Sequence, residues 1–170
     1  MKLSKFSRVL ILLLAASLIL ALASCGAKPE GGDILDEPEI TVKYLSGEYA
    51  QQLLRDGGEE VLGTIKIRDG KNGKYGLEVA RMAIIENASN GGYYIADKNL
   101  SLTVPLDSEA RVTYIKDAKN GPQIMELDKF IKGVQKDEKS NSHQEKLYKV
   151  YIIGGNALMI LAKELPKKKG

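Results

Sequence analysis

From residue 59 onward, short stretches of alternating apolar and polar residues are separated by clusters of Gly, Asn, Asp and Pro. An alternation with a period of two is typical of strands that bury one face. It predicts five strands, at residues 61–68, 75–85, 93–96, 100–104 and 110–116. Two longer apolar runs, Leu147–Ile153 and Ala157–Leu165, flank Gly154-Gly155-Asn156 and predict a hairpin.

A further strand and a helix are predicted before these five strands, and a second helix is predicted after them. Glu39–Tyr44 alternates and predicts a further strand, after which Ser46 is placed to cap a helix over Gly47–Asp56. Apolar residues at helical spacing predict a second helix over Gln123–Gln135. The wholly polar segment Lys136–Lys146 is expected to be an exposed loop.

The order of these elements predicts a mainly β (α+β) domain, built as a small antiparallel β-barrel or curled sheet with two short helices. The pattern can be read as five main strands, the last two of which are the hairpin strands that follow the second helix. In this form it resembles the OB-fold, a small partly open barrel. The resemblance is one of pattern over residues 60–165, and no oligonucleotide-binding motif accompanies it. An open antiparallel sheet covered by helices is the alternative architecture.

The first 25 residues differ from the rest of the chain. Met1–Arg8 contains three cations and no anion, and Val9–Ala23 is a run of 15 residues of which one is polar. A charged segment, an apolar core and small residues follow one another in secretory signal peptides. The apolar core is short for a membrane-spanning helix, which needs about 20 apolar residues.

The end of this segment, Leu22-Ala23-Ser24-Cys25, resembles the lipobox of bacterial lipoproteins. The resemblance implies cleavage before Cys25 and attachment of a diacylglycerol to its thiol. Two acyl chains anchor a protein stably, so the mature protein would be held at the extracytoplasmic face of the cell membrane or outer membrane. Cys25 is the only cysteine, which leaves no disulfide partner for it. An ordinary cleaved signal peptide and an uncleaved anchor helix are the alternatives.

These features divide the chain into four parts. A segment rich in Pro, Gly and acidic residues follows the lipobox and is typical of a flexible tether. The predicted parts are a signal peptide (1–24), the tether (25–38), a β-rich domain (39–165) and a basic tail (166–170).

The overall charge of +3 comes from the signal peptide. Three of the 25 lysines and arginines precede Cys25, and the remaining 22 equal the 22 acidic residues in number. A protein that binds a polyanion is expected to carry a net basic surface. The balance therefore argues against nucleic acid as a partner.

Side chains suited to catalysis are few. His143 is the only histidine and stands in a polar loop, where a catalytic triad would be poorly held. Paired acidic residues are the remaining candidates, since two carboxylates can hydrolyse a glycosidic bond. The pairs are Glu59/Glu60, Asp107/Glu109 and Asp137/Glu138. All of them lie next to predicted turns or loops, and the sequence predicts no cofactor and no metal site.

The sequence therefore predicts a lipid-anchored extracytoplasmic lipoprotein whose β-rich domain is a binding or interaction module at the cell envelope. Its expected partners are the membrane, through the N-terminal lipid on Cys25, and an envelope protein or polymer. Tyr93 and Tyr94 are adjacent in a predicted strand, so one ring is available for binding unless both pack across strands. An envelope hydrolase that uses carboxylates is the alternative function.

Overall fold

A computed structural model describes residues 39–70, 74–87, 92–117, 119–140, 142 and 146–165. The predicted signal peptide, lipidation site, tether and basic tail lie outside the described residues, as does His143. The described residues form six strands: β1 (Glu59–Asp69), β2 (Tyr75–Asn87), β3 (Gly92–Tyr114), β4 (Gln123–Met125), β5 (Leu147–Ile153) and β6 (Asn156–Lys163).

Two helical segments accompany the strands. The first is continuous and consists of an α-helical turn α1 (Val42–Tyr44), a π-helical stretch (Leu45–Tyr49) and α2 (Ala50–Arg55). We refer to it as the N-terminal helix. The second, α3 (Leu127–Lys139), connects β4 to β5. Within the described part of the chain, no helix combines the length and the hydropathy needed to cross a bilayer.

Five of the strands close a ring. β1 pairs antiparallel with β2 and with β5, β2 pairs antiparallel with β3, and β5 pairs antiparallel with β6. A parallel pairing of β3 with β6, at Leu106/Ala157 and Val112/Ile160, completes the ring. The prediction of a mainly β domain, a small barrel or curled sheet with two short helices, is confirmed. The parallel β3–β6 pairing makes the sheet mixed, whereas the prediction was purely antiparallel.

β1 connects β5 to β2 in the ring, because its first part pairs with one of these strands and its second part with the other. Glu59–Gly63 pairs with β5, whereas Gly63–Asp69 pairs with β2. Gly63 belongs to both pairings, and a Cβ at this position would collide with the carbonyl oxygen of Ala80 on β2. Glycine is therefore required where β1 passes from one neighbour to the other.

One apolar core fills the space between the barrel strands and α3. The buried side chains of α3 belong to the same cluster as those of the strands. Phe130 lies edge-on to Tyr114 and Tyr148, with ring centroids 6.3 and 5.9 Å away, which is a favoured geometry for aromatic pairs. The largest strand side chains in this core that are fully buried are Ile65, Leu77, Val79, Val112, Tyr148, Val150 and Ile160.

A second apolar cluster joins the N-terminal helix to the barrel. Leu45, Ala50 and Leu53 of the helix pack on side chains of β5 and β6 that do not belong to the first core. Those partners are Tyr151, Met159 and Leu161. The helix therefore covers the outer face of β5 and β6.

The predicted strand over Glu39–Tyr44 is wrong, because the N-terminal helix begins within it. The N-cap is Thr41, whose hydroxyl accepts a hydrogen bond from the backbone N–H of Tyr44 at 3.1 Å. Ser46, predicted as the cap, instead donates to the carbonyl oxygen of Val42 at 2.8 Å. From Leu45 onward, apolar side chains at helical spacing form the buried face that packs on β5 and β6. The stabilisation from this packing outweighs the strand preference indicated by the alternation at residues 39–44.

The three strands predicted between residues 93 and 116 are one strand, β3. The expected turn at Asp97–Asn99 is a bulge, in which the Asp97 side chain accepts the backbone N–H of Asn99 at 2.7 Å. Asn99 has a φ of 53°, which asparagine tolerates better than most residues. Pro105 pairs with Gly76 and does not end the strand.

The second predicted helix is displaced along the chain. Gln123–Met125 is a strand that pairs with β3, and α3 runs from Leu127 to Lys139. Part of the expected polar loop is therefore helical, and Asp137 within it is buried. The predicted hairpin around Gly154-Gly155 is confirmed by β5 and β6.

Candidate functional site

A groove of about 320 Å³ opens beside the N-terminal end of α3. Its walls come from four segments that are distant in sequence: the start of β2, the middle of β3, the first turns of α3 and the start of β6. Its lining residues are Lys74, Tyr75, Pro105, Leu106, Asp107, Ser108, Leu127, Asp128, Ile131 and Asn156. A volume near 300 Å³ lies at the lower end of the range for small-molecule sites.

Strand pairing brings these segments together. Gly76 lies opposite Pro105, so Lys74 and Tyr75 at the start of β2 stand beside the middle of β3. The parallel pairing of Leu106 with Ala157 brings Asn156, the first residue of β6, to the same place. The groove therefore lies where the start of β2 and the start of β6 approach the middle of β3.

The floor of the groove is apolar. Leu106 and Ile131 belong to the barrel core and are almost fully buried, and Leu127 packs against them. Tyr75 is 36% exposed and presents part of its ring to solvent. Because the floor is continuous with the core, its position is held by the packing of the whole barrel.

The rim of the groove is polar. It carries two carboxylates, one ammonium group, one hydroxyl and one carboxamide, supplied by Asp107, Asp128, Lys74, Ser108 and Asn156. One oxygen of Asp107 accepts the backbone N–H of Glu109 at 2.9 Å, which orients the carboxylate. An apolar floor beneath a few polar groups is the usual construction of a ligand site.

α3, whose first turns line the groove, is held at its other end by a cluster of three side chains, the Asp137 cluster. The hydroxyl of Tyr114 donates to Oδ2 of Asp137 at 2.8 Å, and Nζ of Lys146 donates to the same oxygen at 2.7 Å. Nζ of Lys146 also donates to the Tyr114 hydroxyl at 2.9 Å. These bonds tie α3 to the end of β3 and the start of β5.

The environment of the Asp137 cluster shifts the pKa values of its members. Burial raises the pKa of the Tyr114 hydroxyl, against the opposing effect of the Lys146 ammonium. Burial acts to lower the pKa of Lys146, but its hydrogen bonds to Asp137 and Tyr114 outweigh this and raise the pKa above its usual value. Lys146 is therefore cationic at neutral pH, as its ion pair with Asp137 requires.

The other acidic pairs predicted from the sequence are held in ion pairs or lie apart from the groove. Oε2 of Glu60 accepts from the Tyr151 hydroxyl at 2.6 Å, and Lys149 bonds to both Glu60 oxygens. Arg68 of β1 bonds to Glu138 at 2.9 Å, which is a further tie between α3 and the barrel. These carboxylates stabilise the fold.

Of the acidic residues singled out in the sequence, Asp107 lines the groove, and neither Glu59 nor Glu109 does. Sequence reasoning missed Asp128, which stands in the first turn of α3. The predicted helix began at Gln123, four residues before the observed start at Leu127. Asp128 was therefore not recognised as a residue of the first helical turn. Among the described residues, no three His, Cys, Asp or Glu side chains converge to hold a metal ion.

Comparison with known proteins adds no guide to the role of this groove. No protein-family model, no characterised protein and no solved structure matches the chain.

Proposed function

We propose that the chain is a lipid-anchored extracytoplasmic lipoprotein whose barrel binds a polar, uncharged segment of an envelope polymer in the groove. The observation that carries the binding role is the groove itself, with Tyr75 and a buried aliphatic floor beneath a rim of hydrogen-bonding groups. The lipid anchor rests on the lipobox-like sequence Leu22–Cys25.

The ligand class follows from the chemistry of the rim and floor. Sugar units have apolar faces that pack on a tyrosine ring or aliphatic side chains, and hydroxyls that both donate and accept. Asp107 and Asp128 supply acceptors, Lys74 supplies donors, and Asn156 supplies both. Lys74, directly before β2, and Asn156, at the start of β6, line the groove. OB-type barrels bind oligosaccharides near the loops that precede their second and last strands.

The predicted tether is compatible with a ligand close to the membrane. Thirteen residues, 26–38, separate Cys25 from the first described residue. Such a segment reaches at most about 45 Å when it is fully extended. The barrel would therefore meet polymers of the envelope near the bilayer that holds the lipid.

The test is a binding assay between the detergent-solubilised full-length protein and purified envelope glycan. Tyr75→Ala and Asp107→Asn are expected to weaken binding about tenfold each, the loss typical of a contact at the centre of an interface. Tyr94→Ala, which changes an exposed tyrosine outside the groove, is the matched control and should bind as the unmodified protein does. Equal binding by all variants, or no binding by the unmodified protein, contradicts the proposal.

A second candidate function, hydrolysis of an envelope polymer, is favoured by one observation. Asp107 and Asp128 line the same groove, and glycosidases use a pair of carboxylates. A hydrolase releases soluble fragments from the glycan, and both Asp107→Asn and Asp128→Asn would abolish that release. A binding module retains the glycan without fragmenting it, so chromatography of the supernatant separates the two functions.

A further inference from the structure

The polar side chains around the groove are not engaged by the rest of the fold. One oxygen of Asp107 accepts the backbone N–H of Glu109, and its second oxygen accepts no hydrogen bond from the described residues. Within the described part of the chain, the side chains of three further lining residues make no hydrogen bond or ion pair. These residues are Lys74, Asp128 and Asn156. Their polar groups can therefore bond to a ligand without breaking contacts that hold the barrel.

Each carboxylate of the groove has an aliphatic neighbour that lines the groove as well. Leu106 precedes Asp107 on β3, and Leu127 precedes Asp128 at the start of α3. Leu106 is almost fully buried, whereas Leu127 is half-buried and offers more of its surface to a ligand. The groove therefore presents hydrogen-bond acceptors and apolar surface close together.

An acetamido group, the N-acetyl substituent of an amino sugar, has the complementary arrangement. Its amide bond is trans, so the N–H and the carbonyl oxygen point in opposite directions. The methyl group lies on the same side of the amide bond as the N–H. One side of the substituent therefore offers a donor next to an apolar group, and the other side offers an acceptor. The hydroxyl that replaces this substituent in an ordinary hexose has no apolar part.

We propose that the groove recognises an N-acetylated amino sugar of the envelope polymer. The inference rests on the proposed function, because it names the sugar that the barrel binds. The second oxygen of Asp107 accepts the amide N–H, and the methyl group packs on Leu127. The carbonyl oxygen accepts a hydrogen bond from Lys74 or Asn156, which line the same groove and carry donors.

The charges and the floor of the groove favour the neutral acetamido group over charged substituents. An acidic sugar is repelled by the carboxylates of Asp107 and Asp128, which outnumber the one ammonium group of the rim. The amino sugar without its acetyl group is a cation. Its ammonium would be desolvated over the aliphatic floor and repelled by Lys74, and both effects oppose binding. The acetamido group uses the acceptor, the donors and the apolar surface without burying a charge.

Three tetrasaccharides with the same glycosidic linkage test the inference on the full-length protein, in a detergent that has no sugar headgroup. They are the tetramers of N-acetylglucosamine, glucosamine and glucose, which differ only in the substituent on the second carbon. We expect calorimetry to give the N-acetylglucosamine tetramer an affinity on the order of 30-fold above that of the glucose tetramer, which lacks the methyl contact and the amide donor. Equal affinities, or tightest binding of the glucosamine tetramer, overturn the inference.

Leu127→Ala separates the methyl contact from a general change in the groove. The variant removes apolar surface that only the acetamido group contacts, so it should weaken binding of the N-acetylglucosamine tetramer about fivefold and leave the affinity for the glucose tetramer unchanged. Leu54→Ala, which truncates an exposed leucine of the N-terminal helix outside the groove, is the matched control and should bind both tetramers as the unmodified protein does. Losses of equal size for both tetramers, in a Leu127→Ala protein that unfolds at the unmodified temperature, overturn the inference.

Retention of purified envelope glycan distinguishes this inference from the proposed function. A protein that retains the glycan but binds the three tetramers alike, or binds none of them, overturns the inference alone. A protein that retains no glycan overturns the proposed function and this inference with it. N-acetylated tetra-alanine, which carries the same amide and methyl groups on a peptide, is the fourth probe. Tighter binding of this peptide than of the N-acetylglucosamine tetramer identifies a peptide as the ligand and overturns the inference.

Discussion

The ammonium of Lys146 and the carboxylate of Asp137 lie 2.7 Å apart, and the hydroxyl of Tyr114 donates to the same carboxylate oxygen. This arrangement joins α3 to two strands at the end opposite the groove. The position of the groove wall formed by α3 therefore depends on residues that do not line the groove.

We expect Asp137→Ala to destabilise the protein by about 3 kcal/mol, because it leaves a partly buried ammonium and a buried hydroxyl without their shared acceptor. Chemical unfolding of the full-length protein in detergent measures the loss. Lys129→Ala is the matched control, since its ion pair with Glu126 is largely exposed and is worth at most about 0.5 kcal/mol. Losses of equal size in the two variants would show that the Asp137 cluster does not hold α3.

The same cluster predicts a loss of stability at alkaline pH. The pKa values of Tyr114 and Lys146 are both raised in the folded protein, so the folded state retains protons that the unfolded state releases. Their contribution is complete below the ordinary pKa values, near 10, and is lost as the pH rises through the folded values. Unfolding free energies between pH 8 and pH 11 measure this decline. Lys146→Met should decline less steeply, and an unchanged slope would contradict the assignment.

Gly63→Ala tests whether glycine is required at the residue where β1 stops pairing with β5 and begins to pair with β2. The added methyl group meets the carbonyl oxygen of Ala80, and backbone cannot move aside as a flexible side chain can. We expect a loss of about 2 kcal/mol in the free energy of unfolding. Gly47→Ala is the control, because its Cβ meets no atom within 4 Å and it stands in a helical segment. That change should be neutral or stabilising by up to about 1 kcal/mol. Similar losses at both positions would contradict the proposed role of Gly63.

The elements that could be predicted from the sequence are those with local signals. The hairpin of β5 and β6 has two apolar runs around a Gly-Gly turn. Strands joined by such a tight turn pair with each other without requiring contacts to residues that are distant in sequence. β1 and β2 likewise show their alternation directly. These elements and the helix between β4 and β5 were sufficient to predict the fold class.

The features that could not be predicted depend on distant contacts. The parallel pairing of Leu106 with Ala157 joins residues 51 positions apart, and no local sequence pattern predicts such a pairing. Asp97–Asn99 and Pro105 are residues typical of turns, so three strands were predicted where β3 is one strand. Bulges favour the same residue types as turns, and Asn99 lies in a bulge. The groove was missed for the same reason, since its walls come from four separate segments.

Intact-mass spectrometry of the protein purified from membranes is the decisive test of whether a lipid on Cys25 anchors a ligand-binding barrel outside the cytosol. We expect a chain that begins at Cys25 and carries the added mass of a diacylglycerol on its thiol. A chain that begins at Met1, or one in which the Cys25 thiol is free, would contradict it.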